Sequence, residues 1–402
     1  MPDESFRNKF VELRLRNFRA FDNARLPLGE LTAVLGRNGA GKTTLMEAIE
    51  FLRDCLEDSL LNALERRGGL RSIRRRQRAR RPYDVSVAMQ LQLEDTPIVY
   101  GFRIGGPSSN GDDSVVSVKE EYLLSTNPAV PEFRRLGQEI HIDANTAKPA
   151  LASQSLILPT IAEQDKFYFQ TWRSLCSMRT YNPSPASVRE EWEIGDKRWL
   201  TRDGRNTADI LKELQGDPTD RNWLIEHLDR ITPGITDVRA ETTSTGRRFI
   251  MFEQLGESEV VKHKYSASMM SDGTNRALAI LVALRQKPPA ELLFIDEIES
   301  SVHPAALGVL LDAIGSSLRR SQVIISSHSP EALAHPLITG DRVRVLDWQE
   351  GVSKLFCLNK EVQEALVPPE NVGRLLRSNA LWTEDMPLVN DPEAFFHVSK
   401  PD

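Results

Sequence analysis

Eight consecutive residues, Gly36-Arg37-Asn38-Gly39-Ala40-Gly41-Lys42-Thr43, fit the spacing G-x-x-x-x-G-K-[ST]. In that spacing the glycines let successive backbone N–H groups turn inward around phosphate oxygens, the lysine reaches the β- and γ-phosphates, and the last hydroxyl is an oxygen ligand for magnesium. Lys42 and Thr43 are expected to take those roles, and Thr44 to lie near the α-phosphate. Further along, Leu292-Leu293-Phe294-Ile295 ends in Asp296 and Glu297. Phosphoryl transfer to water needs positioning more than covalent chemistry. Asp296 is therefore expected to hold magnesium through water, and Glu297 to act as catalytic base on the attacking water. His328, in Ser327-His328-Ser329-Pro330, is a second catalytic candidate, expected to contact the γ-phosphate or Glu297. The chemistry these residues point to is hydrolysis of ATP with Mg2+.

These groups need a scaffold that brings them to one edge. Residues 31–35, 292–295 and 322–326 are apolar runs short enough for buried strands, and helical patterns follow at 42–55, 275–286 and 304–318. Strands alternating with helices predict a parallel sheet, with ligands bound at the carboxyl ends of its strands. Residues 83–93, 99–104 and 115–123 alternate with period two, as in an antiparallel meander. Residues 154–235 read as helical, residues 239–252 as a hairpin, and the last sixty residues show no clear period.

Ser271-Asp272-Gly273-Thr274-Asn275-Arg276 stands about twenty residues before the acidic strand. With that segment the chain resembles compact ABC-type ATPases of the SMC, RecF and OLD group. The resemblance implies that Ser271, Asp272, Gly273 and Thr274 form the signature, which binds the γ-phosphate of a nucleotide held by a second protomer. Two heads then enclose two ATP molecules as a homodimer, or as a higher assembly of dimers. Ile298-Glu299-Ser300-Ser301-Val302-His303-Pro304 matches the dimer-contacting loop, with Ser300 and Ser301 as cross-dimer candidates. Arg16-Asn17-Phe18-Arg19-Ala20-Phe21 is similar to a segment that lies beside the base and ribose. Asp203-Gly204-Arg205-Asn206-Thr207-Ala208 also recurs in the small OLD-related ATPases, without an assigned chemistry. The glutamine of the glutamine-bearing loop is left open among Gln77, Gln90, Gln154 and Gln164.

The implied fold is an α/β ABC ATPase head with a mixed sheet, a flanking antiparallel β lobe, a helical insertion and no long coiled coil. The expected division is a discontinuous core at 1–60 and 236–345, a β-rich arm with an arginine-rich segment at 61–153, the insertion at 154–235 and a C-terminal extension at 346–402.

Composition narrows the function classes. The chain has 402 residues with 40% hydrophobic and 27% charged, ordinary values for a folded protein. Three separated cysteines give neither a disulfide framework nor a CxxC metal site. No run is long and apolar enough for a membrane span, and the charged start does not resemble a secretion signal, so a cytoplasmic protein is expected. The net charge of -6 gives no global pull toward nucleic acid. Residues 66–81, by contrast, hold nine arginines and no acid, including Arg74, Arg75, Arg76, Arg78, Arg80 and Arg81. Two readings stand for them: a surface for DNA or RNA phosphates, or a solvated face that pairs with acids of a partner.

About 230 residues, without heptads, separate the phosphate loop from the signature, and about 75 follow His328. The first excludes a long SMC arm, and the second is short for an OLD-type nuclease module. The resemblance therefore extends to ATPases of anti-phage systems such as Septu and PARIS, and of retron-linked operons, in which a head controls a separate nuclease or toxin effector. The alternative is a RecF-like repair ATPase that binds DNA directly, and a third reading is a module that uses ATP only as a sensor.

Overall fold

The computed structural model describes residues 8–76, 83–106, 116–142, 147–195, 198–257, 261–358, 383–385 and 395. Its contacts divide the chain into two compact units. The phosphate-loop unit comprises Ser5–Met178, Val343–Asn359 and Trp382–Asp402, and the signature unit comprises Met1–Glu4, Arg179–Arg342 and Lys360–Leu381.

The phosphate-loop unit begins with strands β1 (Asn8–Phe18), β2 (Phe21–Pro27) and β3 (Leu31–Gly36), followed by the helix Lys42–Glu57. Strands β4 (Val85–Leu93), β5 (Thr96–Gly105), β6 (Ser117–Ser125), β7 (Phe133–Leu136) and β8 (Glu139–Ile142) complete a seven-stranded antiparallel sheet in the order β2-β1-β4-β5-β6-β7-β8. The meander expected at residues 83–123 thus extends to β1 and β2. Register places Leu15, Val87 and Phe102 side by side on one face. Phe51 of the helix packs there, 5.9 Å from the Phe18 ring and 6.1 Å edge-on to Phe102. Burying each such apolar side chain contributes about 1.5–3 kcal/mol.

The opposite face carries Arg14, Ala88 and Gly101 in register. Arg14, 1% exposed, donates through Nε to Glu12 (2.5 Å), through Nη2 to Gln90 (2.8 Å) and through Nη1 to the Phe395 carbonyl oxygen (2.8 Å). The Phe395 side chain packs on Ala88, Val99 and Tyr122. Within the sheet, the wholly buried Glu121 accepts the N–H groups of Ile157 (2.6 Å) and Leu158 (3.1 Å) and the Tyr100 hydroxyl (3.0 Å). Burial pushes its carboxyl up to about 7.

In the same unit β3 lies parallel to Val343–Gln349, which turns back as Val352–Leu358. This hairpin lies in the last sixty residues, where the sequence shows no clear period. Its first strand breaks strict alternation, with only Val343 and Leu346 buried, so period two is weak there.

The signature unit holds three parallel strands in the order Arg179–Tyr181, Leu292–Ile295 and Gln322–Ser327. The helices Asp272–Arg285 and Pro304–Ser317 and the helices Thr207–Leu214 and Pro218–Ile231 match the periodic segments of the sequence. Residues 154–235 are not purely helical, because Arg179–Tyr181 joins the parallel sheet beside Leu292–Ile295. A second antiparallel sheet contains Trp192–Glu193, Arg247–Leu255, Ile235–Thr242 and Lys262–Ser266. Among the described residues no helix is long and apolar enough to cross a membrane, and no cluster of three or more His, Cys, Asp or Glu side chains forms a metal site.

Candidate functional site

In the phosphate-loop unit, apolar β3 runs into Gly36 and the helix starts at Lys42 with Gly41 as N-cap. Gly39 and Gly41 have φ of 81° and 106°, values that an L side chain rarely adopts, so the loop needs glycine there. Arg37, Asn38 and Gly39 are exposed, while Ala40 is buried and donates its N–H to the Arg37 carbonyl (3.1 Å). Lys42 folds back, its Nζ donating to the carbonyl oxygens of Gly36 (2.7 Å) and Arg37 (3.1 Å). Thr43 and Thr44 occupy the first turn, with Thr43 exposed. The loop thus offers backbone N–H groups, a helix N-terminus and an ammonium at one place, the chemistry of a polyphosphate cradle.

The segment expected near the base forms the tight connection between β1 and β2, where Phe18 pairs with Phe21. Asn17 and Arg19 have positive φ, Asn17 Nδ2 donates to the Asp84 carbonyl (3.1 Å), and Arg19 pairs with Glu47 of the phosphate-loop helix (2.5 Å).

In the signature unit, Ser271 caps the helix Asp272–Arg285: its Oγ accepts the Thr274 N–H (3.1 Å) and lies 2.7 Å from Thr274 Oγ1. Ser271 and Asp272 are exposed, Met269 beside them is 69% exposed, and Asp272 pairs with Arg189. A Cβ on Gly273 would lie 2.7 Å from the Ser301 carbonyl oxygen, so the signature glycine touches the loop that follows the acidic pair. Ser300 and Ser301 lie in that loop, and Ser301 has φ of 60°.

Asp296 is 1% exposed at the end of its strand, and its backbone N–H donates to the Tyr181 carbonyl (2.8 Å). Ser326 holds the turn: its hydroxyl bonds the Asp296 carboxylate and accepts the Glu297 N–H (2.8 Å), while its carbonyl accepts the Ile298 N–H (3.1 Å). Glu297 has φ of 50°, a conformation that costs a non-glycine residue about 1–2 kcal/mol and must be held by its surroundings. Arg276 supplies the second grip. It is 2% exposed, and its Nη2 donates to the carbonyl oxygens of Asp296 and Glu297 (2.9 Å each), while Nη1 reaches Asn182 Oδ1 (3.1 Å) and the Pro183 carbonyl. Burial lowers its pKa, opposed by Glu297, Asp296 and Glu299. The sequence places Arg276 at the end of the Ser271–Arg276 segment but gives no sign that it supports the Asp296–Glu297 turn.

His328 does not pair with Glu297. Its Nδ1 lies 2.8 Å from Glu299 Oε1, and its backbone N–H donates to the same oxygen (2.7 Å). Glu299 follows the acidic pair by two residues, a spacing that gave no signal of its own. The motif Asp203 to Ala208 has an architectural use: Asn206 bonds the Thr201 N–H (2.7 Å) and the Trp199 carbonyl (3.0 Å), and Gly204, with φ of 77°, packs against Pro183 and Ala279.

The arginine run is not one uniform surface. Arg67 pairs with Asp54 (2.7 Å), Arg66 pairs with Asp58, Arg74 is buried, and the Arg75 N–H donates to the Asn17 carbonyl (2.9 Å). Arg71 and Arg76 are exposed, whereas Gln77, Arg78, Arg80 and Arg81 lie outside the described residues. Gln90 and Gln164 are engaged with Arg14 and the Ala147 N–H, respectively.

Two family profiles match the two motif-bearing stretches. Residues 9–78 match an "AAA ATPase domain", and residues 226–334 match an "AAA domain, putative AbiEii toxin, Type IV TA system". Over 40 residues the chain is 52% identical to an OLD nuclease of Thermus scotoductus, a match that spans 10% of this chain and 8% of that nuclease. Among solved structures, an Smc head bound to the C-terminal winged-helix domain of ScpA superposes with a TM-score of 0.53 at 16% identity, covering 89% of this chain and 99% of that one. A second, an Smc head with an extended coiled coil bound to a ScpA domain from Pyrococcus furiosus, gives 0.52 at 14% identity over 90% and 98%. The fold resembles that of these Smc heads, and no long coiled coil is present among the described residues. Together with the ATPase-domain matches it supports ATPase activity, and it fits an ATPase of the SMC, RecF and OLD group.

Proposed function

We propose that this chain is an ATP-hydrolysing head that closes with a second copy around ATP and thereby controls a separate nuclease or toxin effector in anti-phage defence. The observation that carries the reading is the exposed Ser271 at the N-cap of its helix, backed by Gly273 against the Ser301 loop. A signature helix that offers its N-terminal N–H groups outward suits the γ-phosphate of a nucleotide held by another copy. The toxin-associated family match and the OLD nuclease match favour an effector over DNA repair, and the internal ion pairs of Arg66 and Arg67 weaken the direct DNA reading.

In this reading the phosphate loop, with Lys42 and Thr43, binds the triphosphate, Asp296 serves the magnesium, and Glu297 orients the attacking water. The donors are a hydroxyl and a carboxylate, hard oxygens that fit Mg2+. Bound magnesium would neutralise charge on the phosphates, while the chain positions the water and shields the site. His328, tied to Glu299, acts near the γ-phosphate.

Lys42→Ala is expected to abolish ATP binding, measured by titration calorimetry. Glu297→Gln is expected to bind ATP and accumulate as a closed pair in light scattering after size exclusion. An assembly indifferent to ATP would instead favour a constitutive scaffold.

A further inference from the structure

The glycines at the two ends of the phosphate loop are both pressed by the C-terminal hairpin. A Cβ on Gly36 would lie 2.7 Å from the Leu346 carbonyl oxygen, and one on Gly41 would lie 2.7 Å from Ser353 Oγ and 3.2 Å from the Phe21 ring. Ser353 is 0% exposed, and its backbone N–H donates to the Ala20 carbonyl (2.9 Å), which ties it to the connection between β1 and β2. Its hydroxyl has no hydrogen-bond partner among the described residues. An unpaired buried hydroxyl costs about 1–3 kcal/mol, and alanine would fit the same space without that cost. A serine at this spot therefore points to a partner that arrives in another state of the loop.

That state is the nucleotide-bound one. In the structure Lys42 spends its ammonium on the carbonyl oxygens of Gly36 and Arg37. A seated phosphate competes for the same ammonium, and a loop released from that bond rewinds between two ends that the hairpin holds. We propose that Ser353 is a positioning residue for the nucleotide, whose hydroxyl gains its hydrogen bond to the phosphate loop beside Gly41 only when ATP is bound. The inference rests on the reading of the loop as an ATP site, and it makes the C-terminal hairpin part of that site.

The test compares wild type with Ser353→Ala by two readouts: the melting temperature of the nucleotide-free protein, and ATP affinity by titration calorimetry with magnesium present. The expected result is a melting temperature equal to or above wild type together with ATP affinity lowered about five- to tenfold, since a typical hydrogen bond contributes on the order of 1 kcal/mol. Affinity within twofold of wild type, or a loss of affinity accompanied by a loss of nucleotide-free stability, would overturn the proposal. If the alanine variant does not fold, Ser353→Cys keeps the volume with a much weaker donor and is judged by the same criteria. Failure of wild type to bind ATP would sink the ATPase reading itself, whereas wild-type binding with an unaltered variant sinks only the role of Ser353.

Discussion

Arg276 sits five residues after Ser271 and holds the carbonyl groups of Asp296 and Glu297, the turn proposed to be catalytic. Only a guanidinium can serve Asp296, Glu297 and Pro183 from one buried position, because lysine has no planar fork. Arg276→Lys is therefore expected to lower kcat for ATP hydrolysis roughly 10- to 100-fold, the scale of a small displacement of a positioning group, while changing ATP affinity far less. Steady-state ATPase kinetics with a separate binding titration give that split. The residue types of the phosphate loop and acidic pair were legible from spacing alone, since their chemistry fixes their order. Arg276, Ser326 and Glu299 were not, because each works through a contact between segments distant in the chain.

Elements were legible where they repeat a period over several turns. The phosphate-loop helix and the helix Asp272–Arg285 follow from apolar runs bounded by glycine or a capping serine. The strand Arg179–Tyr181 escaped because three residues, all buried, carry no alternation, and its partner Leu292–Ile295 lies far along the chain. Glu121 makes one element-level prediction. Its carboxyl ionises near 4.5 when unfolded and near 7 within the sheet, so between those values the folded protein keeps a proton that the unfolded chain has released. Stability must then fall as pH rises from about 4.5 to 7 and level off above it, by on the order of 3 kcal/mol from this one group. Urea unfolding of Glu121→Gln across that window is expected to lack this pH dependence, although the Ile157 and Leu158 N–H groups address separate carboxylate oxygens and one of them then faces the amide NH2, which lowers stability at every pH.

For the molecule as a whole, the proposed closing of two heads rests on the exposed Ser271. Ser271→Arg places a bulky cation where the partner's phosphate is expected to dock. Such a protein should bind ATP with near wild-type affinity yet stay unpaired in light scattering, and its hydrolysis should drop to the rate of an isolated head. The head-like fold followed from the motifs together, while the phosphate-loop unit is built from described segments on either side of Arg179–Arg342, a return that no local period announces.

Phe395 shows what such re-entry means during synthesis. The meander from β1 to β8 is complete by residue 142, yet the Arg14 guanidinium and the apolar spot formed by Ala88, Val99 and Tyr122 await a residue made some 250 positions later. At about 5–20 residues per second, the ribosome leaves that spot bare for more than roughly ten seconds. The nascent chain thus exposes this apolar spot until Phe395 emerges.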